Sequence, residues 1–268
     1  MPFTLAHPAA ILPFARWLAR WRLLSAVVIG SMVPDFGWLS PWGRLSRPAT
    51  HGAEALLTFC LPVGLATYWL FQWTVKTPLT ELLPPGAYAR WREFEMPARV
   101  GDLRQWLLAA AGVLLGAITH VVWDAFTHEG ARGVRMIPEL NDPMVQIGGR
   151  HLTGPRLLQD ASSVIGMLVV LAVLAYALRP GAPEEADVAR RLSRQERHTW
   201  FALYLLAAAV LSGIFFLIGR HGVPRVPGVF LHVGAIAISL LRGTSAALLL
   251  VSLVLEARLR TRPGRRDP

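Results

Sequence analysis

The stretch Gly116-Ala-Ile-Thr-His120-Val-Val-Trp-Asp124-Ala-Phe-Thr-His128-Glu-Gly130 places two imidazoles and a carboxylate in a segment otherwise apolar enough to sit in a bilayer. An ionisable group at membrane depth costs at least ~2.5 kcal/mol on insertion scales, so it ordinarily faces a partner, a cavity or a metal. On a helix the three side chains stand at i, i+4 and i+8, about 40° apart per step, and share one face. His120 and Asp124 are then about 6 Å apart along the axis and can share one ion, whereas His128 is about 12 Å from His120. His128 joins them only through a second ion bridged by the carboxylate, or if the helix unwinds near Thr127.

Working outward, the composition suits that reading. The 268 residues are 53% hydrophobic and 16% charged, with a mean hydropathy of +0.42. This excludes an ordinary soluble domain with a polar surface and indicates an integral membrane protein. The net charge of +10 would suggest nucleic acid in a soluble chain. Here the arginines fall between apolar segments and in the C-terminal tail, where they orient a membrane protein and attract anionic lipid. Membrane lipid is therefore the expected partner, and no nucleic acid. The single cysteine, Cys60, rules out an intrachain disulfide.

The expected fold is all-α, a polytopic helical membrane protein of five to six membrane segments. It forms one integral membrane domain over 1–268, with a metal-site half at 1–128 and additional transmembrane helices at 160–257. The first apolar run, 23–34, covers only ~18 Å at 1.5 Å per residue, against a hydrocarbon core of ~30 Å. Either the amphipathic piece at 8–21 extends it into a spanning helix, or the two pieces form a re-entrant helical hairpin. Longer candidates follow at 55–75, where Pro62 is expected to kink the helix, at 105–126, 161–178 and 200–218, and at 229–255, the last broken by Arg242-Gly243. The basic connections at 76–104 and 179–198 and the arginine-rich tail alternate correctly to share the cytoplasmic side, which places the C-terminus in the cytoplasm. Asp35, His51 and His128 then lie together at the outer ends of their segments.

Ionisable residues beside apolar segments include His7 in His-Pro, Asp35 closing Gly30-Ser-Met-Val-Pro-Asp35, and His51 in Ala-Thr-His-Gly-Ala-Glu, in addition to His120, Asp124 and His128. All offer nitrogen or carboxylate oxygen, a mixture that zinc and manganese accept, whereas a calcium site is built of oxygen alone. Simpler roles stand beside ligation: a hydrogen-bonded pair for His120 and Asp124, a turn for Asp35, a helix flank for His51 and a frayed terminus for His7. For the helix pair, the cost of burying a carboxylate without a cation favours a metal. Glu54, one turn after His51, and Glu129 are the carboxylates left over for a general base. Arg242, near the middle of the last apolar stretch, pairs with Asp160, clamps a substrate phosphate, or marks a break at an interface.

The opening Met1-Pro-Phe-Thr-Leu-Ala-His7-Pro-Ala-Ala, the 30–35 turn, Thr50-His51-Gly52 and the 116–128 stretch resemble bacterial membrane proteins of domain-of-unknown-function family 4184, over most of the chain. More remotely, the N-terminal half is similar to inner-membrane metal-dependent hydrolases of the YdjM type and to zinc-dependent phospholipase C. Those proteins use an early His, a Pro-Asp, a further His and a His-x-x-x-Asp helix. The resemblance implies a bacterial cytoplasmic-membrane location and metal ligation by His7, Asp35, His51, His120 and Asp124, with His128. The chain departs from the phospholipases in lacking a later His-x-x-x-Glu pair, since His151 is followed at that spacing by Pro155. A straight helix would hold His7 and Asp35 ~42 Å apart, so joint ligation requires the chain between them to double back. The function expected is hydrolysis of a phosphoester or ester in a lipid-like substrate, assisted by one or two divalent ions, zinc or manganese. The alternative is a non-catalytic metal-stabilised membrane scaffold, or an ion or proton carrier.

Overall fold

The computed structural model describes residues 4–39, 47–84, 87–88, 102–147, 150–179, 191–220 and 229–261. Arg90, Arg92, Arg99, Arg190, Arg262, Arg265 and Arg266, seven of the arginines expected to mark the cytoplasmic side, lie outside these residues. The chain is mostly helical and packs as two compact units, Met1–Trp69 with Pro97–Ala177, and Leu70–Met96 with Leu178–Pro268. Among the described residues, five helices are long and apolar enough to cross a membrane: Leu56–Leu82, Leu103–Thr127, Gly154–Leu178, Arg194–Ile218 and Ile238–Thr261.

The N-terminal segment is a chain of short turns. Two 3-10 pieces, Thr4–Ala10 and Leu12–Phe14, carry Pro8 and Pro13, which lack the N–H of a regular helix. They lead into α1 (Ala15–Arg20), α2 (Leu24–Gly30) and a 3-10 turn, Val33–Leu39. Between α1 and α2 the chain reverses through a Schellman end: Leu23 N–H donates to the Leu18 carbonyl and Arg22 N–H to the Ala19 carbonyl, both at 2.9 Å. Arg22 takes the left-handed position, at φ 59°. The reversal gathers Ile11, Leu18 and Val27 into a buried cluster with Leu23, Leu24 and Val28 around it. It also brings the Thr4 hydroxyl to 2.7 Å from Asp35 Oδ2. The chain between His7 and Asp35 therefore doubles back, and 8–21 does not prolong 23–34 into one spanning helix.

Helix α3 (Arg47–His51) precedes α4 (Leu56–Leu82), which passes through π turns at Leu56–Cys60 and Phe71–Val75. The first of these ends just before Pro62 and absorbs its missing hydrogen bond. Helix α4 runs on to Leu82, past the boundary expected at Val75, because Lys76 donates to Gln72 Oε1 at 3.1 Å one turn back instead of ending the helix. Helix α5 (Leu103–Thr127) starts at an Asp102 cap that accepts from Arg104 N–H at 2.9 Å. Its buried face includes Gly112, Val113, Gly116, Ala117, His120 and Asp124. Here α2 crosses at a separation only glycine permits. A methyl on Gly116 would overlap the Val27 carbonyl oxygen, and one on Gly30 the Val113 carbonyl. Gly112-Val-Leu-Leu-Gly116 is thus a small-xxx-small contact of the kind that lets membrane helices approach backbone to backbone.

After α5 come α6 (Arg132–Met136), a 3-10 turn at Pro138–Asn141, and an antiparallel hairpin of β1 (Pro143–Ile147) and β2 (Arg150–Thr153). The hairpin is an addition to the all-helical expectation. Helix α7 (Gly154–Leu178) begins seven residues earlier than hydropathy indicated, its first turns carrying an exposed Arg156–Asp160 pair at 3.0 Å. Asp160 thus pairs with its helical neighbour Arg156.

In the second unit, α8 (Arg194–Arg220) starts before the apolar run because Ser193 and Glu196 form a reciprocal capping box at 3.0 and 3.3 Å. Helix α9 (Val229–Thr261) is continuous through Arg242-Gly243, correcting the expected break. Gly243 sits where α9 crosses α8, and a methyl there would overlap Ser212. Leu192, Trp200, Leu255 and Leu259 form this unit's buried apolar cluster.

Gly116→Ala is expected to destabilise the protein by ~1–3 kcal/mol, since backbone atoms must move to admit the methyl. Gly213→Ala, where a methyl meets open space, is expected to be neutral or slightly stabilising. Thermal unfolding of both variants in the same detergent checks the pair, and equal behaviour would refute the close-contact account.

Candidate metal centre

Each candidate ligand is placed by a different local device, all within the first unit. The inward face of α5 presents His120 and Asp124 one turn apart. The 3-10 turn after α2 presents Asp35, the last residue of α3 is His51, and the first 3-10 turn carries His7. His7, Asp35, His120 and Asp124 are buried, and the His51 side chain is 7% exposed.

Four of these residues close a ring. His51 Nε2 is 3.5 Å from Asp35 Oδ1, which is 3.7 Å from His120 Nε2; His120 Nε2 is 3.6 Å from Asp124 Oδ2, which is 3.4 Å from His51 Nε2. These distances exceed hydrogen-bond lengths. Two ligands each ~2.0–2.1 Å from a tetrahedral ion are, however, ~3.4 Å apart. His51 Nε2, His120 Nε2 and Asp35 Oδ1 are buried and make no hydrogen bond. Buried polar atoms left in that state are costly, and neighbours at ligand-to-ligand spacing are what a shared cation requires. The donor set therefore fits a divalent ion that takes nitrogen and oxygen. Charge agrees, because with the imidazoles neutral, as ligation requires, the two buried carboxylates would offer −2 to a divalent cation.

His7 approaches from the other side of Asp124. Its ring stacks on His120 with centroids 3.6 Å apart and planes at 16°, and its Nε2 lies 3.9 Å from Asp124 Oδ1. Two triads, His7 with His120 and Asp124, and Asp35 with His51 and His120, each bring their ligand atoms within 4.8 Å of one another. Both use His120. Its Nδ1 lies 2.7 Å from the Ser31 carbonyl and donates to it, leaving Nε2 as the coordinating atom. One nitrogen lone pair serves one ion, so the two triads cannot both take His120 at once.

Three groups orient this shell: the Ser31 carbonyl on His120, the Thr4 hydroxyl donating to Asp35 Oδ2, and the Thr50 hydroxyl 2.7 Å from His51 Nδ1. Such partners fix the tautomer and ring orientation of a ligand. Sequence reasoning missed all three. Thr50 adjoins His51 and so carried a weak signal, whereas Ser31 acts through its backbone and carried none.

Protonation sorts the two histidines that lie outside the long helices. Burial, reinforced by His120 beside it, pushes His7 down to about 4, so it is neutral at physiological pH. For His51, burial opposes the charged form, but the Asp124 and Asp35 carboxylates outweigh it and raise the pKa above 6.5.

The remaining candidates are placed differently, with His128 meeting the ring through Asp124. His128 caps α5: its Nδ1 is 3.2 Å from the Asp124 carbonyl and 3.2 Å from the Thr127 hydroxyl, and 3.7 Å from Asp124 Oδ2. The helix runs regularly to Thr127 and does not unwind to bring His128 in. Glu54 and Glu129 are exposed and belong to neither triad, and Glu129 accepts from the Thr153 hydroxyl at 3.3 Å. Arg242 is half-buried in α9, in the other unit.

Thr50→Val is expected to weaken zinc binding ~10–100-fold with the fold retained, and Thr50→Ser to restore it; competition titration measures both. Affinity is also expected to rise with pH. Metal must displace the proton held by His51, which contributes up to ~tenfold per pH unit below its raised pKa and nothing above it. His7, already neutral, adds no slope above about 4. A pH-independent zinc affinity between about pH 5.5 and 8 would contradict this.

A family profile described as a domain of unknown function, DUF4184, matches residues 1–253. No curated protein and no solved structure matches the chain, so the remoter likeness to YdjM-type hydrolases and phospholipase C gains no support from them. With that profile covering all but its last residues, the chain belongs to the DUF4184 family.

Proposed function

We propose that this protein is a membrane-embedded, metal-dependent hydrolase acting on a phosphoester or ester of a lipid-like substrate. The observation that carries the reading is the buried ring of His51, Asp35, His120 and Asp124 at 3.4–3.7 Å. A divalent ion held there, zinc or manganese, would supply Lewis acidity toward a phosphoryl or carbonyl oxygen and acidify a water. The chain's own residues do the rest. Asp35 and Asp124 provide the negative charge that retains the cation, and the Ser31 carbonyl and the Thr50 hydroxyl point Nε2 of His120 and His51 inward. His7, neutral and against the second oxygen of Asp124, can hold that carboxylate in place or ligate in its turn. Glu54, three residues after His51, and Glu129, next to His128 in the chain, are the proposed proton acceptors. Arg242 has no part in this reading.

A scaffold is the second reading, favoured by the burial and number of the protein donors. A structural site has a closed shell of protein ligands, and a catalytic one keeps a position open.

The test begins with the metal content of protein purified in detergent. The parent is expected to carry at least one tightly held divalent ion per chain, and the His120→Ala, Asp124→Ala double variant to lose it. A metal-free parent, or full retention by the double variant, sinks both readings. Release of product from labelled membrane lipids by the metal-loaded parent, and not by the variant, supports the hydrolase; metal without turnover on any ester or phosphoester lipid favours the scaffold.

A further inference from the structure

The connection between α5 and α7 leaves and re-enters a pair of membrane-length helices at the same end, the end that bears Asp124 and His128. Its path there is unusual. Glu129, at its start, accepts from Thr153, at its finish, at 3.3 Å, so the base of the connection is closed. Helix α6 then packs beside the last turn of α5 instead of rising away from it: Gly133 and Val134 are buried, and a methyl on Gly133 would stand 2.8 Å from the Ala125 carbonyl and the Phe126 ring. Gly154 and Pro155, where the connection joins α7, are buried as well, with Gly154 against Leu140. The connection thus lies down at the level of the helix ends.

At that level it exposes large apolar side chains. Met136 is 75% exposed and Met144 50%, and Ile137 and Val145 are exposed too. In the hairpin Val145 lies across from Leu152, and the register irregularity between Pro143 and Val145 takes Met144 out of the regular alternation. From Glu129 to Asp160 the four arginines (Arg132, Arg135, Arg150, Arg156) are matched by four carboxylates (Glu129, Glu139, Asp142, Asp160). Two of the arginines are engaged internally, Arg135 with the Gly130 carbonyl and Arg156 with Asp160. Net charge therefore offers no attraction to an anionic surface, and the exposed apolar groups are the part of this segment with something to gain from lipid.

We propose that residues 129–147 and 150–153 form an interfacial anchor that lies in the headgroup–acyl boundary of the leaflet at the ligand-bearing end, inserting Met136, Ile137, Met144 and Val145 among phospholipids. The occupant is the bilayer itself, continuous with the lipid facing α5 and α7. The inference rests on connectivity and exposure and holds for a catalytic or a scaffolding site alike. Its effect is to keep the end of the protein that bears the cluster level with the headgroups.

The test uses the full-length protein in phosphatidylcholine nanodiscs, carrying an environment-sensitive fluorophore at Met136→Cys, Met144→Cys or, as a control in the same connection, Glu139→Cys. The native thiol, Cys60, is buried, and unsubstituted protein gives the background. All three positions are exposed, so the substitutions do not disturb the core. The labels at 136 and 144 are expected to be blue-shifted, severalfold less accessible to aqueous iodide than the label at 139, and quenched by lipids carrying a shallow nitroxide. Equal iodide access at all three sites overturns the proposal. So does shielding that appears only when anionic lipid is added, which would mean electrostatic adsorption instead of apolar insertion.

Discussion

The contact between the backbones of α2 and α5 decides where every ligand falls. Gly116 admits α2 against α5, and His120 follows exactly one helical step of four residues later on the same face, where it meets the carbonyl at the end of α2. The turn beyond that end then delivers Asp35, and the reversal before it delivers His7. Helix–helix association in a bilayer has no hydrophobic drive of its own and depends on close packing. The glycines are therefore where the precision of the cluster originates, although none of them touches a ligand atom.

A second constraint acts in the opposite sense. Packing draws the elements together, yet the groups it brings into contact include two carboxylates removed from water, whose repulsion and desolvation work against closure. The proton that Asp124 and Asp35 favour on His51 offsets part of this, and the spacing of the ring leaves room for a cation to offset the remainder. Folding of the N-terminal segment onto α5 and occupation of the ring are then thermodynamically linked, as expected where binding free energy is also folding free energy.

The long helices were legible because each is a sustained apolar run, and His120 and Asp124 because a spacing of four residues is a local pattern. Boundaries were misjudged where polar residues belong to a helix for reasons other than hydropathy: Lys76 through its bond to Gln72, and Ser193 with Glu196 through a capping box that hydropathy alone passes over. The hairpin at 143–153 escaped notice because its strands are short and mixed in character. His7, Asp35 and His51 were visible as ionisable residues beside apolar segments, but their joint ligation with the helix pair rested mainly on resemblance, since residues so far apart in the chain leave no periodic trace. Gly112 and Gly116 were readable as a small-xxx-small motif, but nothing local named α2 as the partner.

The hydrogen bond from His120 to the Ser31 carbonyl has a consequence for how this protein tolerates change. The acceptor belongs to the main chain, so any residue small enough for the fully buried position 31 supplies it, and the orientation of the imidazole stays intact as long as α2 keeps its seat. Selection for that contact is felt at the small residues which permit the seat and is invisible at the residue that makes it. Because Ser31 is itself fully buried where α2 meets α5, position 31 answers to the space at the helix contact and not to the chemistry of its side chain.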